Sequence, residues 1–310
     1  MKKTMYPVPS TEKEYSEACQ KLKTILDFYR FALSIHGQKN VFFGHGSADA
    51  EVEFQSLILG SLQLPFEWSP TFWVARLTLS EKDFLAHQLY QRFENHMPVP
   101  YLIHQAQFCG LSFYVDERVL IPRSPIAELI EQQFSPWIDA ERVEDILDLC
   151  TGSGCIAAAC AYAFPQATVD AIDIDPNALE VATINIEKLG LDQQVRLIQS
   201  DGMKALTKER YDIIVSNPPY VGADEMQTLP SEYRHEPRHA LEAADNGLAL
   251  VHHILKKAKK HLKPEGILVV EVGNSDLALM EAYPELPFIW LEFEHGGSGV
   301  FLLNAEDLPN

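Results

Sequence analysis

Asn217, Pro218, Pro219 and Tyr220 are the residues of this chain best suited by type and spacing to chemistry. They follow residues 211–216, a run dominated by β-branched side chains that predicts a buried strand. Two prolines forbid its continuation, since proline fixes φ and has no N–H to give a ladder. A stiff turn therefore stands at the carboxyl end of a strand, where open α/β sheets bind ligands. It presents the Asn217 amide, the carbonyls beside the prolines and the Tyr220 ring. Together these suit gripping a flat –NH2 group, with acceptors on two sides and a ring packed over its plane. A turn with a buried tyrosine is the plainer alternative, and the context decides between them.

A second constellation lies upstream. Asp148-Leu-Cys-Thr151-Gly152-Ser-Gly154 joins a predicted strand to a predicted helix. Glycines there let the backbone approach a ligand, and a helix N-terminus offers unpaired N–H groups. The third glycine of a dinucleotide fingerprint is absent, Ala157 holding its position. Asp148 would repel a phosphate but could meet the amino-acid portion of a sulfonium ligand. Asp173, at the next strand end, has the spacing of an acidic residue that accepts from ribose hydroxyls. Asp175 competes for that role, although before Pro176 it is better explained as a helix cap. Asp201, after the third strand, could hold an adenine amino group.

The elements that must position these residues divide in two. Residues 11–36, about 48–62 and a stretch after Ser80 carry apolar residues at helical spacing, so residues 1–95 read as a small helical domain that recruits substrate. Met97-Pro-Val-Pro100 marks a boundary. Residues 96–124 form a connector with a hairpin about Cys109-Gly110, and Ser124 and Pro125 open a helix over 126–138. In the remaining domain, 125–310, strands (143–149, 168–174, 195–200, 211–216, 267–272) alternate with helices. That rhythm predicts a doubly wound, Rossmann-like parallel sheet with helices on both faces. Residues 288–294 and 300–304 are separated by too short a link for a crossover helix, so they must pair antiparallel. A parallel sheet ending in such a hairpin is the outline of class I methyltransferases that use S-adenosylmethionine.

The chain has 310 residues, 46% of them hydrophobic, and no apolar run long enough to cross a membrane. Five cysteines with no Cys-x-x-Cys pair argue against disulfides and zinc and for a reducing cytoplasm; no metal site is expected. A net charge of −19 repels phosphate backbones and attracts a basic protein partner. The one basic run, Lys256 to Lys260, sits at a predicted helix end and reads as a solvated face.

With Glu236-Pro237 and Ala240-Leu241, the two constellations resemble those of the glutamine-amide methyltransferases that modify translation proteins. The similarity spans roughly residues 92–304, including Gly110 and Val119-Leu-Ile-Pro-Arg123. Residues 121–129 are similar to the branch acting on large-subunit ribosomal protein number three; the release-factor branch, the alternative, has a Pro-Glu-Thr-Glu run where Ser124-Pro-Ile-Ala127 stands. Cys150 replaces the family's usual glycine. The resemblance implies S-adenosylmethionine as cofactor, held by Asp148, Thr151, Gly152, Gly154, Asp173, Asp201 and Asn217. It implies that Asn217 and the Pro218 carbonyl accept from the substrate amide while Tyr220 packs on its plane, with Pro219 and Arg123 also on the substrate side. Adenine presents the same flat –NH2, so a DNA methyltransferase shares the tetrapeptide. The negative charge and the lack of a basic target-recognition segment favour protein over DNA. A non-catalytic S-adenosylmethionine-binding assembly factor would have no use for the intact grip.

Overall fold

The computed structural model describes residues 7–46, 49–66 and 69–309. The chain forms two compact units: one of residues up to Gln105 together with Pro230–His235, the other of Ala106–Leu229 and Glu236–Asn310. The first boundary thus falls at 105/106, and the helical unit also takes in a six-residue excursion from far downstream.

The helical unit contains α1 (Glu12–Cys19), α2 (Ile25–His36), α3 (Ala50–Ser61), α4 (Leu79–Glu94) and α5 (Val99–Ile103). The single helix expected over 11–36 is two. Thr24 and Asp27 build a second capping box, with Asp27 Oδ2 accepting the Thr24 N–H at 2.9 Å, and so restart the chain. The same device begins α1 at Thr11 and α4 at Thr78, two residues before the expected Ser80. Ala48, where the second helical pattern was expected to begin, lies outside the described residues. The core of the unit is Tyr15, Phe28, Phe54, Leu57, Ile58, Leu89 and Phe93.

The second unit opens with a hairpin, β1 (Ala106–Phe108) and β2 (Leu111–Phe113), turned at Cys109 and Gly110, which both take positive φ (46° and 69°). Then come α6 (Ile126–Glu131), β3 (Asp145–Leu149), α7 (Cys155–Ala163), β4 (Thr168–Asp173), α8 (Pro176–Leu189), β5 (Val195–Gln199), β6 (Tyr211–Ser216) and α9 (Ala223–Met226). They are followed by α10 (Ala249–His261), β7 (Leu262–Glu271), α11 (Asp276–Ala282), β8 (Ile289–Trp290) and β9 (Val300–Asn304). Helix α6 stops seven residues short of expectation because Gln133 and Phe134 turn to positive φ ahead of Pro136, which could not continue it.

The strand order is β5-β4-β3-β6-β7-β9-β8, parallel through β7 and antiparallel for β9 and β8. Alternation along each strand supplies both faces. Ile146, Ile213, Val215, Ile267 and Val269 pack toward α6 and α7, whereas Leu147, Leu149, Ile214, Leu268 and Val270 pack toward α10. Full burial of Val251, Ile254 and Leu255 on α10 contributes about 1.5–3 kcal/mol each. None of the helices among the described residues is long and apolar enough to cross a membrane.

Candidate active site

The sheet changes winding direction between β3 and β6, and register places the chemistry there. Leu149 lies opposite Ile172 on one side and Ser216 on the other. The next residues of the three strands, Cys150, Asp173 and Asn217, therefore emerge together at the carboxyl edge. Ser216 Oγ donates to the Leu149 carbonyl at 2.8 Å and ties the two central strand ends together.

Beyond β6, Pro218 is buried while Asn217, Pro219 and Tyr220 are partly exposed. The Val221 N–H donates to the Leu241 carbonyl and the Ala243 N–H to the Val221 carbonyl, so the Ala240-Leu241 segment backs the turn. Among the described residues the Asn217 amide has no hydrogen-bond partner. Asn185 is the contrast. Its oxygen accepts from the Tyr114 N–H, and its amide nitrogen donates to the Tyr114 and Ser153 carbonyls. One asparagine is consumed by the fold, and the other keeps its amide unengaged among the described residues.

The loop after β3 takes positive φ at Cys150 (63°), Gly152 (53°) and Gly154 (79°). Only the glycines do so freely; Cys150 carries a cost of about 1 kcal/mol where a glycine would carry none. Gly154 is needed twice over, since a Cβ there would also sit 3.3 Å from the Ala182 Cβ. The loop amides are already engaged: Thr151 N–H with the Ile172 carbonyl, Gly152 N–H with Asp173 Oδ2, and Gly154 N–H with the Thr151 carbonyl. A pyrophosphate would find these three donors occupied and two carboxylates nearby.

Asp148 is fully buried. Its Oδ2 accepts from Thr151 Oγ1 at 2.6 Å and from the Ala157 N–H at 3.1 Å, which staples the loop to α7, while Oδ1 has no partner. Burial, reinforced by the Asp173 charge, pushes its pKa up to about 7. Asp173 is likewise raised by burial, although it accepts from Gly152 and Asp175 amides. Asp175 caps α8 through the Asn177 N–H, as its position before Pro176 implies.

Cys150, Gly152, Asp173, Asn217 and Pro219 line one cavity, closed by Ile174, Ala178, Leu250, Arg118, Val119, Leu120, His239 and Ala240. Sequence reasoning assigned no cavity role to Arg118, Leu120, His239 or Leu250. Val119, Leu120 and Ala240 fall in quoted motifs, and nothing in local pattern distinguishes Arg118, His239 or Leu250. Arg118 is held by Asp116 and Glu180, and His239 lies 3.0 Å from Asp175. Thr151, Gly154, Pro218 and Tyr220 are not part of this lining. Two expected residues are placed otherwise. Asp201 is half-exposed, outside the lining and ion-paired with Lys204. Arg123 forms a two-point pair with Glu236 (Nη2 to Oε2, 2.8 Å), which also accepts the Ile121 N–H at 3.0 Å. That latch fixes the 118–123 segment at the cavity rim.

A cationic nucleoside fits this donor set. Asp173 offers a carboxyl acceptor on the lining, and Ile174, Ala178 and Leu250 offer apolar surface for a flat base; Asp148 Oδ1, an unsatisfied buried acceptor, lies outside the lining. The family model of the methyltransferase small domain matches residues 132–286. The catalytic domain of hMettl16, solved with the MAT2A 3'UTR hairpin 6, shares the fold at a TM-score of 0.50 and 18% identity, covering 71% of this chain and 80% of that one. The ribosomal protein uL3 glutamine methyltransferase of Francisella tularensis is 44% identical over 299 residues, 96% of this chain and 95% of its own length. The protein of the same name from Neisseria meningitidis serogroup B is 46% identical over 295 residues, 95% of this chain and 97% of its own. The chain belongs to the family of ribosomal protein uL3 glutamine methyltransferases.

Proposed function

We propose that this protein methylates the side-chain amide nitrogen of a glutamine in ribosomal protein uL3, with S-adenosylmethionine as methyl donor. The observation that carries the reading is the unengaged Asn217 amide at the edge of the Asp173 cavity, on a turn that two prolines and the Val221–Leu241 pairing make rigid. Bound in that cavity, the cofactor supplies an electrophilic methyl group on a sulfonium. Asp173 would hold the ribose, and the glycine loop would shape the wall beside it.

The chain's own contribution is orientation. An amide nitrogen is a poor nucleophile because its lone pair is delocalised into the carbonyl. Asn217 Oδ1 and the Pro218 carbonyl accept its two N–H bonds, aim the –NH2 and favour its loss of planarity. Tyr220 packs against the amide plane, and Pro219 stiffens the grip. No strong base is required at the outset, because the proton turns acidic only as the nitrogen is alkylated. The −19 charge attracts a basic ribosomal protein and disfavours a nucleic-acid substrate.

Asn217→Ala tests this. Single-turnover methyl transfer to purified uL3, at saturating cofactor, should slow about a hundredfold or more. A rate within about threefold of the parent would reduce Asn217 to a turn residue.

A further inference from the structure

Tyr220 is held by several contacts, and one of them is to a buried acid that the reaction scheme above does not use. Glu271 ends β7 and is 5% exposed. Its Oε1 accepts from the Tyr220 hydroxyl at 2.7 Å, and its Oε2 accepts from Ser124 Oγ. Ser124 Oγ in turn accepts the Ile126 N–H at 3.2 Å, so one carboxylate joins the strand, the turn and the start of α6. Two glycines also pass close to Tyr220. A Cβ at Gly273 would sit 2.6 Å from the edge of the Tyr220 ring, and one at Gly247 would sit 2.0 Å from the Tyr220 carbonyl oxygen. Both glycines take positive φ (50° and 88°). A side chain at Gly273 would thus collide with the ring, and one at Gly247 with the Tyr220 backbone.

A carboxylate this deep is costly unless its partners give something in return. Glu271 makes no ion pair among the described residues, and burial raises its pKa despite the two hydroxyl donors and the more distant Arg123. A glutamine or an apolar pair would fill the volume at lower cost. We infer that Glu271 is a positioning residue for methyl transfer: by fixing the Tyr220 hydroxyl it sets the plane of the ring against which the substrate amide must lie. This rests on the proposed grip at Asn217 to Tyr220 and extends it to a residue some fifty positions away in sequence. A rotation of the ring would move the surface under the –NH2, and small misplacements of a positioning group weigh heavily on rate.

The test is a double-mutant cycle in the full-length protein, read as single-turnover rate at saturating cofactor and uL3, with cofactor Kd and Tm measured beside it. Tyr220→Phe removes only the hydroxyl, and Glu271→Ala removes its acceptor. Each should slow transfer about tenfold, the worth of one well-made hydrogen bond, with cofactor Kd within about twofold. The pair together should lose no more than either alone, because both cut the same link. Glu271→Gln keeps an acceptor for Tyr220, reverses the bond to Ser124 so that the amide nitrogen donates to Ser124 Oγ, and should recover most of the rate. Multiplying losses would overturn the proposal, as would a parent-like Tyr220→Phe. If Glu271→Ala fails to fold, the Phe and Gln variants still decide. A slow Asn217→Ala beside a parent-like Tyr220→Phe would leave the grip standing and remove Glu271 from it.

Discussion

Buried charge is handled in opposite ways in the two units. In the helical unit, Arg92 is 1% exposed and its guanidinium is fully engaged: Nε with Glu53 at 2.6 Å, Nη1 with Glu232 at 3.0 Å, Nη2 with the Phe42 carbonyl at 2.8 Å. Glu232 also accepts the Phe42 N–H at 2.7 Å. Burial alone would raise the Glu232 carboxyl, but the Phe42 amide and Arg92 outweigh it and hold it below its ordinary range. Glu53 stays above its own, because burial and the nearby Glu232 outweigh Arg92. At the strand ends of the second unit, Asp148, Asp173 and Glu271 are all raised, first of all by burial, and among the described residues none is ion-paired. Charge matched inside the fold maintains the fold. The carboxyls of the second unit are met instead by hydroxyl and amide donors, with no cation paired to them among the described residues.

That contrast can be broken by substitution. Arg92→Ala strands two buried carboxylates and should cost about 3–5 kcal/mol of stability, measured by urea unfolding, with cofactor affinity unchanged. A loss under about 1 kcal/mol would put this triad in the class of inconsequential ion pairs. Asp173→Ala should do the reverse, sparing most of the stability but weakening S-adenosylmethionine by about 1.5–3 kcal/mol, as two ribose hydroxyls lose a charged acceptor. Calorimetry with an unaltered Kd would move the ribose role elsewhere. The smallest effect concerns Asp148. Its folded pKa, about 7 against an ordinary 3.8, means that the ligand-free protein holds a proton there up to neutrality. The stability from that proton is fully present below the unfolded value and is lost as pH rises to about 7. A cationic cofactor favours the ionised form, so its affinity should rise severalfold (about three to ten times) between pH 5.5 and 8. The Asp148→Asn variant should flatten the profile; a parent Kd that ignores pH would separate Asp148 from the cofactor.

The strand-end residues were legible because parallel pairing has one register, and residues one step past each strand must then meet. The hairpin pairing of β8 with β9 followed in the same way from a link too short for a helix. What depended on side-chain direction was not legible. Asp148 and Asp201 share a residue type and a place near the carboxyl end of a strand, yet one turns inward to α7 and the other outward to Lys204. The break between α1 and α2 was present as Thr24-x-x-Asp27, masked by apolar spacing that runs through it. Arg118 and His239 reach the cavity through long-range packing, for which no local pattern exists. The same holds for the excursion at residues 230–235, a polar stretch with no mark of the unit it joins.

That excursion has a consequence for the order in which the protein can be made. The helical unit is first out of the ribosome, but its last six residues are Pro230–His235, about 130 positions after Gln105. At synthesis rates of roughly 5–20 residues per second, Arg92 waits on the order of ten seconds for Glu232. During that interval the nascent helical unit has Glu53 alone to neutralise its buried guanidinium. Completion of the ion-pair set around Arg92 therefore waits for the segment that follows the Asn217–Tyr220 turn.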